Sequence, residues 1–342
     1  MMHDSVAQNS RKKYPVIDIC KLYCAFLIVF MHCVEVKNGH LLAYSLSKCC
    51  TQQAVPFFFI VSGFLYARKN KCGASGDNKQ IFRYLVVYFI WMLIWSPIVI
   101  HRYFTMYSGR SVLYILMVIL RRILFAGEGV YWYLLVLFES LFMINLAQKY
   151  RKMNILIGIS VVFFILGLWY ENGSSIPIMQ RMFSAIYFVF SWTNNVLMKG
   201  LPYTLIGYCL YRHVDKIRHY KKMWLITAYL VVLFANITIY LNTSLDKMHI
   251  FIYPVLACIL FLISVNEELN DFVTKDTKTL RNLSTVIYLT HTLFIYYVAD
   301  PLVTAGGPIP IKYVVAVGLS MLTFLIIRNT ENRYVKKVFM IS

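Results

Sequence analysis

Ile17 to Glu35 reads IDICKLYCAFLIVFMHCVE. It is an apolar run as long as a membrane helix, with Asp18, Lys21 and His32 inside it. About 20 apolar residues cross a hydrocarbon core of about 30 Å. An ionisable side chain near the bilayer centre costs at least about 2.5–3.5 kcal/mol, which makes each of the three a functional-site candidate. Lys21 and His32 are three helical turns apart on nearly the same face, about 16 Å along the axis. Asp18 lies one turn before Lys21, where it can neutralise the ammonium.

The rest of the chain fits this reading. Of 342 residues, 59% are hydrophobic and 14% charged, and the mean hydropathy is +0.62, outside the range of an ordinary soluble domain. Segments at about 15–36, 52–69, 82–103, 130–147, 153–170, 197–212, 223–242, 249–265, 284–303 and 311–328 are long and apolar enough to propose as spans. The fold class expected is therefore all-α, a polytopic membrane bundle of about 10 transmembrane helices. Phe183 to Trp192 is read as a reentrant or surface piece.

Loop charges set the orientation. With the N-terminus inside, 23 of the 34 Lys and Arg fall on one side: Arg11 to Lys13, Arg68 to Arg83, Lys149 to Lys152, Arg212 to Lys222, Lys275 to Arg281, and Arg328 to Lys337. Both termini are thus expected in the cytoplasm, with the chain in the inner cell membrane. The net charge of +19 reads as this orientation signal plus attraction to anionic lipid heads, so no nucleic-acid partner is expected. The polar segment 1–14 and basic tail 329–342 flank what reads as one integral-membrane domain, 1–342, since no Pro-, Gly- or Ser-rich linker divides it.

Further residues each admit a functional and a packing reading. His32 is a general base near neutral pH or a histidine bonded across helices. His291 has the same two readings. In Val55 to Phe64 (VPFFFIVSGF), Ser62-Gly63 marks either a close backbone approach to substrate or a small-residue helix contact. Arg83 is a phosphate ligand or a cytoplasmic anchor, and Trp132 opens its helix where an aromatic belt is also expected. Arg121 and Arg122 interrupt an apolar stretch, Val112 to Ala126, and either line an anionic entrance or snorkel to lipid phosphates. The eight cysteines show no metal-ligand spacing, and no metal is expected. Walker A, Gly-x-Gly-x-x-Gly, His-Glu-x-x-His and His-x-x-x-x-Asp patterns are absent.

Taken in order, these residues resemble the membrane acyltransferase 3 family, the integral-membrane O-acyltransferases of surface polysaccharides and glycans. Asp18, Lys21, Ala25 and His32 stand where the family's first helix has Asp, Arg, a small residue and His. Pro56 to Phe64 matches its Pro-Phe-Phe run leading to Ser-Gly-Phe. Arg83, Trp132, the Leu201-Pro202 and Gly207 pattern, and Tyr288-Leu289-x-His291 complete the likeness.

The resemblance implies an O-acyltransferase, most simply an O-acetyltransferase, moving an acyl group from cytoplasmic acyl-coenzyme A (acetyl-CoA) to a hydroxyl of a carbohydrate or glycan at the outer face. His32 would act as base, with Asp18 in the same catalytic helix. Lys21 and Arg83 would bind the donor, and Ser62, Gly63, Trp132 and His291 would line the substrate passage. A glycan-assembly partner or a second copy of the chain is a further expectation. Lys21 departs from the family's Arg, and Lys lacks the bidentate phosphate grip of a guanidinium. The alternative is a transporter or sensor using Asp18, Lys21 and His32 as a proton or solute path.

Overall fold

The computed structural model describes residues 13–33, 48–70, 78–171, 181, 184, 193–241, 251–304 and 309–341. Among these, the regular elements are all helices. In chain order the α-helices of five residues or more are α1 (Pro15–Cys33), α2 (Ala54–Lys69), α3 (Asn78–Met106), α4 (Val112–Arg121), α5 (Trp132–Lys149), α6 (Met153–Glu171) and α7 (Leu201–Tyr211). Then come α8 (Lys222–Leu241), α9 (Ile252–Val265), α10 (Glu267–Phe272), α11 (Lys278–Phe294), α12 (Asp300–Thr304), α13 (Ile309–Asn329) and α14 (Arg333–Val338). Turns of π-helix precede α7 at Val196–Gly200, follow α4 at Arg122–Ala126 and join α11 to α12 at Ile295–Ala299.

Among the described residues seven helices are long and apolar enough to cross a membrane. They are α1, the run Lys48–Lys69, α3, the run Val112–Lys149, α6, α8 and α13. The other three segments read from the sequence are also helical, and each falls short for a local reason. α7 has 11 residues after its π turn, α9 has 14, and α11 opens on the polar run KTLRN before its apolar part begins. The chain is a multi-pass helical membrane protein. Positions 34–36 lie outside the described residues, as does Phe183–Trp192 apart from Ser184.

The Cα positions group into two compact units, Met1–Cys72 with Ile206–Ser342, and Gly73–Leu205. In the first unit α1 makes its most extensive contact with α11, which packs on its other flank against α13. Ala25, Val29 and Cys33 of α1, Leu283, Val286 and Ile287 of α11, and Ala316, Phe324 and Ile327 of α13 form one buried cluster. α1 starts with Pro at its first helical position, where the missing N–H loses no bond. The next orphan donor, the Val16 N–H, is satisfied by Asn270 Oδ1 of α10 at 3.1 Å.

Gly207 of α7 faces the backbone of α2 in this unit. A Cβ there would collide with the Ile60 carbonyl and come within 2.9 Å of the Phe64 nitrogen. α7 and α2 therefore pack closely over Ile60–Phe64, the stretch that contains Ser62 and Gly63.

In the second unit α3 packs on α5. Trp91 and Tyr131 stack with ring centres 5.7 Å apart. Gly200 admits the Val136 and Ser140 side chains of α5, which a Cβ would strike. The apolar residues exposed on α3, α4, α6 and α8, such as Leu93, Leu113, Val162 and Phe234, form the surface expected to meet lipid tails.

Backbone cannot move aside as a side-chain tip can, so overpacking at Gly207 should cost about 1–3 kcal/mol. Gly207→Ala is expected to lower the thermal unfolding midpoint of the detergent-solubilised chain by several degrees. An unchanged midpoint would show that α7 and α2 do not approach this closely.

Candidate functional site

The first unit gathers four of the residues singled out from the sequence onto the α1–α11 pair. At one end of α1, Asp18 Oδ2 accepts a 2.8 Å hydrogen bond from Thr277 Oγ1 at the N-cap position of α11. Lys21 and Arg281 lie within electrostatic reach of this carboxylate, and Arg281 lies within reach of Lys21. Arg281 is one turn into α11 from Thr277, so α1 and α11 together present a carboxylate, an ammonium and a guanidinium at one end of the pair.

At the other end, the rings of His32 and His291 lie 5.5 Å apart, tilted by 38°. His291 is fully buried and His32 exposed. The His291 Nδ1 sits 2.8 Å from the Ile287 carbonyl. Because a carbonyl only accepts, Nδ1 carries the proton in this arrangement and Nε2 keeps a lone pair. That Nε2 is buried with no hydrogen-bond partner. The ring therefore offers an acceptor nitrogen beside His32, held by its own backbone.

Two features fix this end. Thr290 Oγ1 donates to Ser320 Oγ at 3.0 Å, tying α11 to α13. Lys312 of α13, buried, pairs with Asp300 at the start of α12 at 2.5 Å. The π turn Ile295–Ala299 follows His291 by one turn of helix, and such turns are frequent at functional sites. Lys48 and Lys312 both lie within electrostatic reach of the exposed His32 imidazole, with the Lys312 charge balanced by Asp300.

Asp18 and His32 are 14 residues apart on one helix, about 21 Å along its axis. No direct contact joins them. Asp18 holds the Lys21 end of the site, while the groups positioned to move a proton at the other end are His32 and His291. Ser62 is half-buried and Gly63 buried on α2, which packs against α1 and α9.

Arg83 and Trp132 belong to the second unit. Arg83 is exposed on α3 and Trp132 half-buried at the start of α5. Gly127, at φ +68°, turns the chain against the Trp132 backbone, where no Cβ fits.

The paired arginines of the α4 region have a different role from either sequence reading for one of them. Arg122 Nε pairs with Glu128 Oε2 at 3.2 Å, Arg102 Nη1 with Oε1 at 2.9 Å, and Tyr103 donates to Oε2 at 3.0 Å. Glu128 is 2% exposed. Its position in the Gly127-Glu128-Gly129 turn gave no sign in the sequence that it was buried. Arg281 and Thr277 were also missed as site residues: Arg281 was counted among the orientation charges, and only its spacing from Thr277 hinted at a shared face.

The acyltransferase-domain family model matches residues 14–328, which contain this α1–α11 site in full. The chain belongs to the acyltransferase 3 family. It is also similar to a protein of Enterococcus faecalis described as an amino-acid racemase, 23% identical over 328 residues. The alignment takes in 91% of this chain and 44% of that protein, so the chain spans less than half the length of the relative. No solved structure matches.

Removing Glu128 leaves Arg102, which is solvent-exposed, to water but strips the mostly buried Arg122 of its carboxylate, a loss of at most about 3–5 kcal/mol. Glu128→Ala should therefore destabilise the chain far more than a surface substitution, and Glu128→Gln, which keeps the acceptor Oε1, should fall between. Equal thermal unfolding midpoints for wild type and Glu128→Ala would contradict a structural role for this cluster.

Proposed function

We propose that the chain is a membrane O-acyltransferase, taking the acyl group of a cytoplasmic acyl-coenzyme A, most simply acetyl-CoA, to a hydroxyl of a carbohydrate or glycan at the outer face. The observation that carries this reading is the α1–α11 pair, with an Asp-Lys-Arg cluster at one end and a facing histidine pair at the other. Family membership supports the reaction class. Under this reading the membrane is the inner cell membrane, the ten helical segments are its crossings, and both termini face the cytoplasm on the Lys- and Arg-rich side.

The chemistry follows from the groups at each end. Lys21 and Arg281 attract the donor phosphates, with Asp18 held near them by Thr277. Arg281 supplies the planar fork that Lys21 lacks. His32 takes the proton of the acceptor hydroxyl as its oxygen attacks the thioester carbonyl. The C–S bond breaks as the C–O ester bond forms, and the proton passes to the departing coenzyme A sulfur. His291 packs beside the His32 ring, where its unpartnered Nε2 lone pair is available to accept a hydrogen bond during transfer. Ser62 and Gly63 are proposed to border the passage, and a glycan-assembly protein or a second copy is the proposed partner.

A second reading draws on the relative. A domain of this family forming less than half of a protein named for a different activity suits a membrane module that moves or senses a solute, with Asp18, Lys21 and His32 as its path. The racemase name describes a protein more than twice as long and does not say which part of it racemises.

General-base removal typically lowers a rate by about 10²–10⁴-fold. His32→Ala is expected to abolish acyl transfer from acetyl-CoA to a glycan acceptor by the purified chain, with insertion and unfolding midpoint retained. His291→Phe should lower kcat with less effect on donor KM, while Arg281→Gln should raise donor KM. Full transfer by His32→Ala would overturn the enzymatic reading, and tight solute binding without thioester consumption would favour the second.

A further inference from the structure

A separate cavity of about 190 Å³ opens beside the N-terminus of α11, within the first unit. Lys278 of α11, Arg328 of α13 and Lys336 of α14 line it, so three cations converge from three helices. Thr279 and Asn282 add a hydroxyl and an amide. Among the described residues no carboxylate lines the cavity and none pairs with these three cations. Lys278 and Asn282 are four residues apart on the flank of α11 that faces α13. Thr277 and Arg281 lie on the flank that faces α1. The cavity is thus distinct from the Asp18 cluster although one helix end serves both.

The walls are fixed. Asn332 caps α14 through bonds to the Tyr334 and Val335 N–H groups at 2.9 and 3.2 Å. Val335 and Phe339 pack against the buried cluster that contains Phe324 and Ile341, the apolar floor of the cavity. Lys336 is thereby held half-buried over the cavity, whereas Lys337, the next residue, is exposed and lies over the Tyr334 ring at 5.8 Å. An orientation charge needs only to reach headgroups. Three cations around one cavity, Lys336 half-buried and Lys278 and Arg328 exposed, with a hydroxyl and an amide beside them, form an arrangement that favours an anion.

We propose that this cavity is a phosphate-binding pocket, taking a phosphate monoester or diphosphate group at the Lys- and Arg-rich face of the chain. Its volume is below the roughly 300–1,000 Å³ that encloses a whole drug-sized ligand, so it holds the group and leaves the remainder of the molecule outside. A phosphate monoester carries about −1.5 to −2 charges, matched by three cations. Both a coenzyme A phosphate and an anionic lipid headgroup present this chemistry. The charge of the cavity would hold either one whether or not the chain transfers an acyl group.

The test uses the full chain in nanodiscs of phosphatidylcholine, with binding of inorganic diphosphate followed by calorimetry. Saturable binding is expected, weakened at least about fivefold by Lys336→Gln and by Arg328→Gln and less than about twofold by Lys337→Gln. Two further arms identify the source. Coenzyme A displacing diphosphate better than its 3′-dephospho form assigns the pocket to a soluble ligand. Loss of diphosphate binding when phosphatidic acid is added to the nanodisc assigns it to a lipid. No binding by the wild type, equal weakening by Lys337→Gln, or displacement by neither source would overturn the pocket.

Discussion

The packing of α1 along α11 is the contact on which the candidate site depends. It is the most extensive helix pair among the described residues, and ionisable groups mark both of its ends. The Thr277–Asp18 bond fixes where α11 begins relative to α1, and the His32–His291 approach shows that the two helices remain in register over the turns between. Small and apolar residues fill the interval, with Ala25 and Val29 against Val286 and Ile287. A bulkier residue at Ala25 would part the helices and separate the histidines as surely as removing one of them.

That pairing turns ionisable residues that are unfavourable in lipid into an ordered set. Asp18 has a hydroxyl donor and two cations near it, so neither sign of charge is left alone. His291 is buried with one nitrogen bonded to its own helix and the other unpartnered. An unpartnered buried acceptor is unfavourable for folding alone, and it is the feature of this pair that packing does not explain. Lys312, buried, and Asp300, partly exposed, add an ion pair at the same end, fixing the segment that follows the π turn.

Much of this was legible in the sequence because lipid imposes a simple rule. Backbone groups must be satisfied within the segment, so long apolar runs could only be helices, and all ten segments are helical where they are described. Asp18, Lys21 and His32 stood out against the same background, since charge in such a run is conspicuous. Arg281 did not stand out, because it sits among cytoplasmic-side basic residues whose ordinary explanation is orientation. Glu128 was hidden for the opposite reason. Flanked by glycines in a connecting stretch, it reads as a loop residue, and only the fold brings Arg102 and Tyr103 to it. Arg122, next to Arg121 in an apolar stretch, gave no sign that it has a carboxylate partner. The pocket beside α14 was likewise invisible: its cations are 50 residues or more apart in sequence or lie in a tail that reads as a plain basic end.

The central claim is that one helix carries donor contacts at one end and an acceptor base at the other, so that an acyl group crosses the membrane in the course of transfer. The most direct measurement places the purified chain in sealed vesicles with a glycan acceptor trapped inside and acyl-labelled acetyl-CoA outside. The account predicts labelled ester on the trapped acceptor, with coenzyme A released on the outer side, for the molecules whose Lys- and Arg-rich face points outward. Label appearing on acceptor added outside, with none on the trapped acceptor, would contradict it.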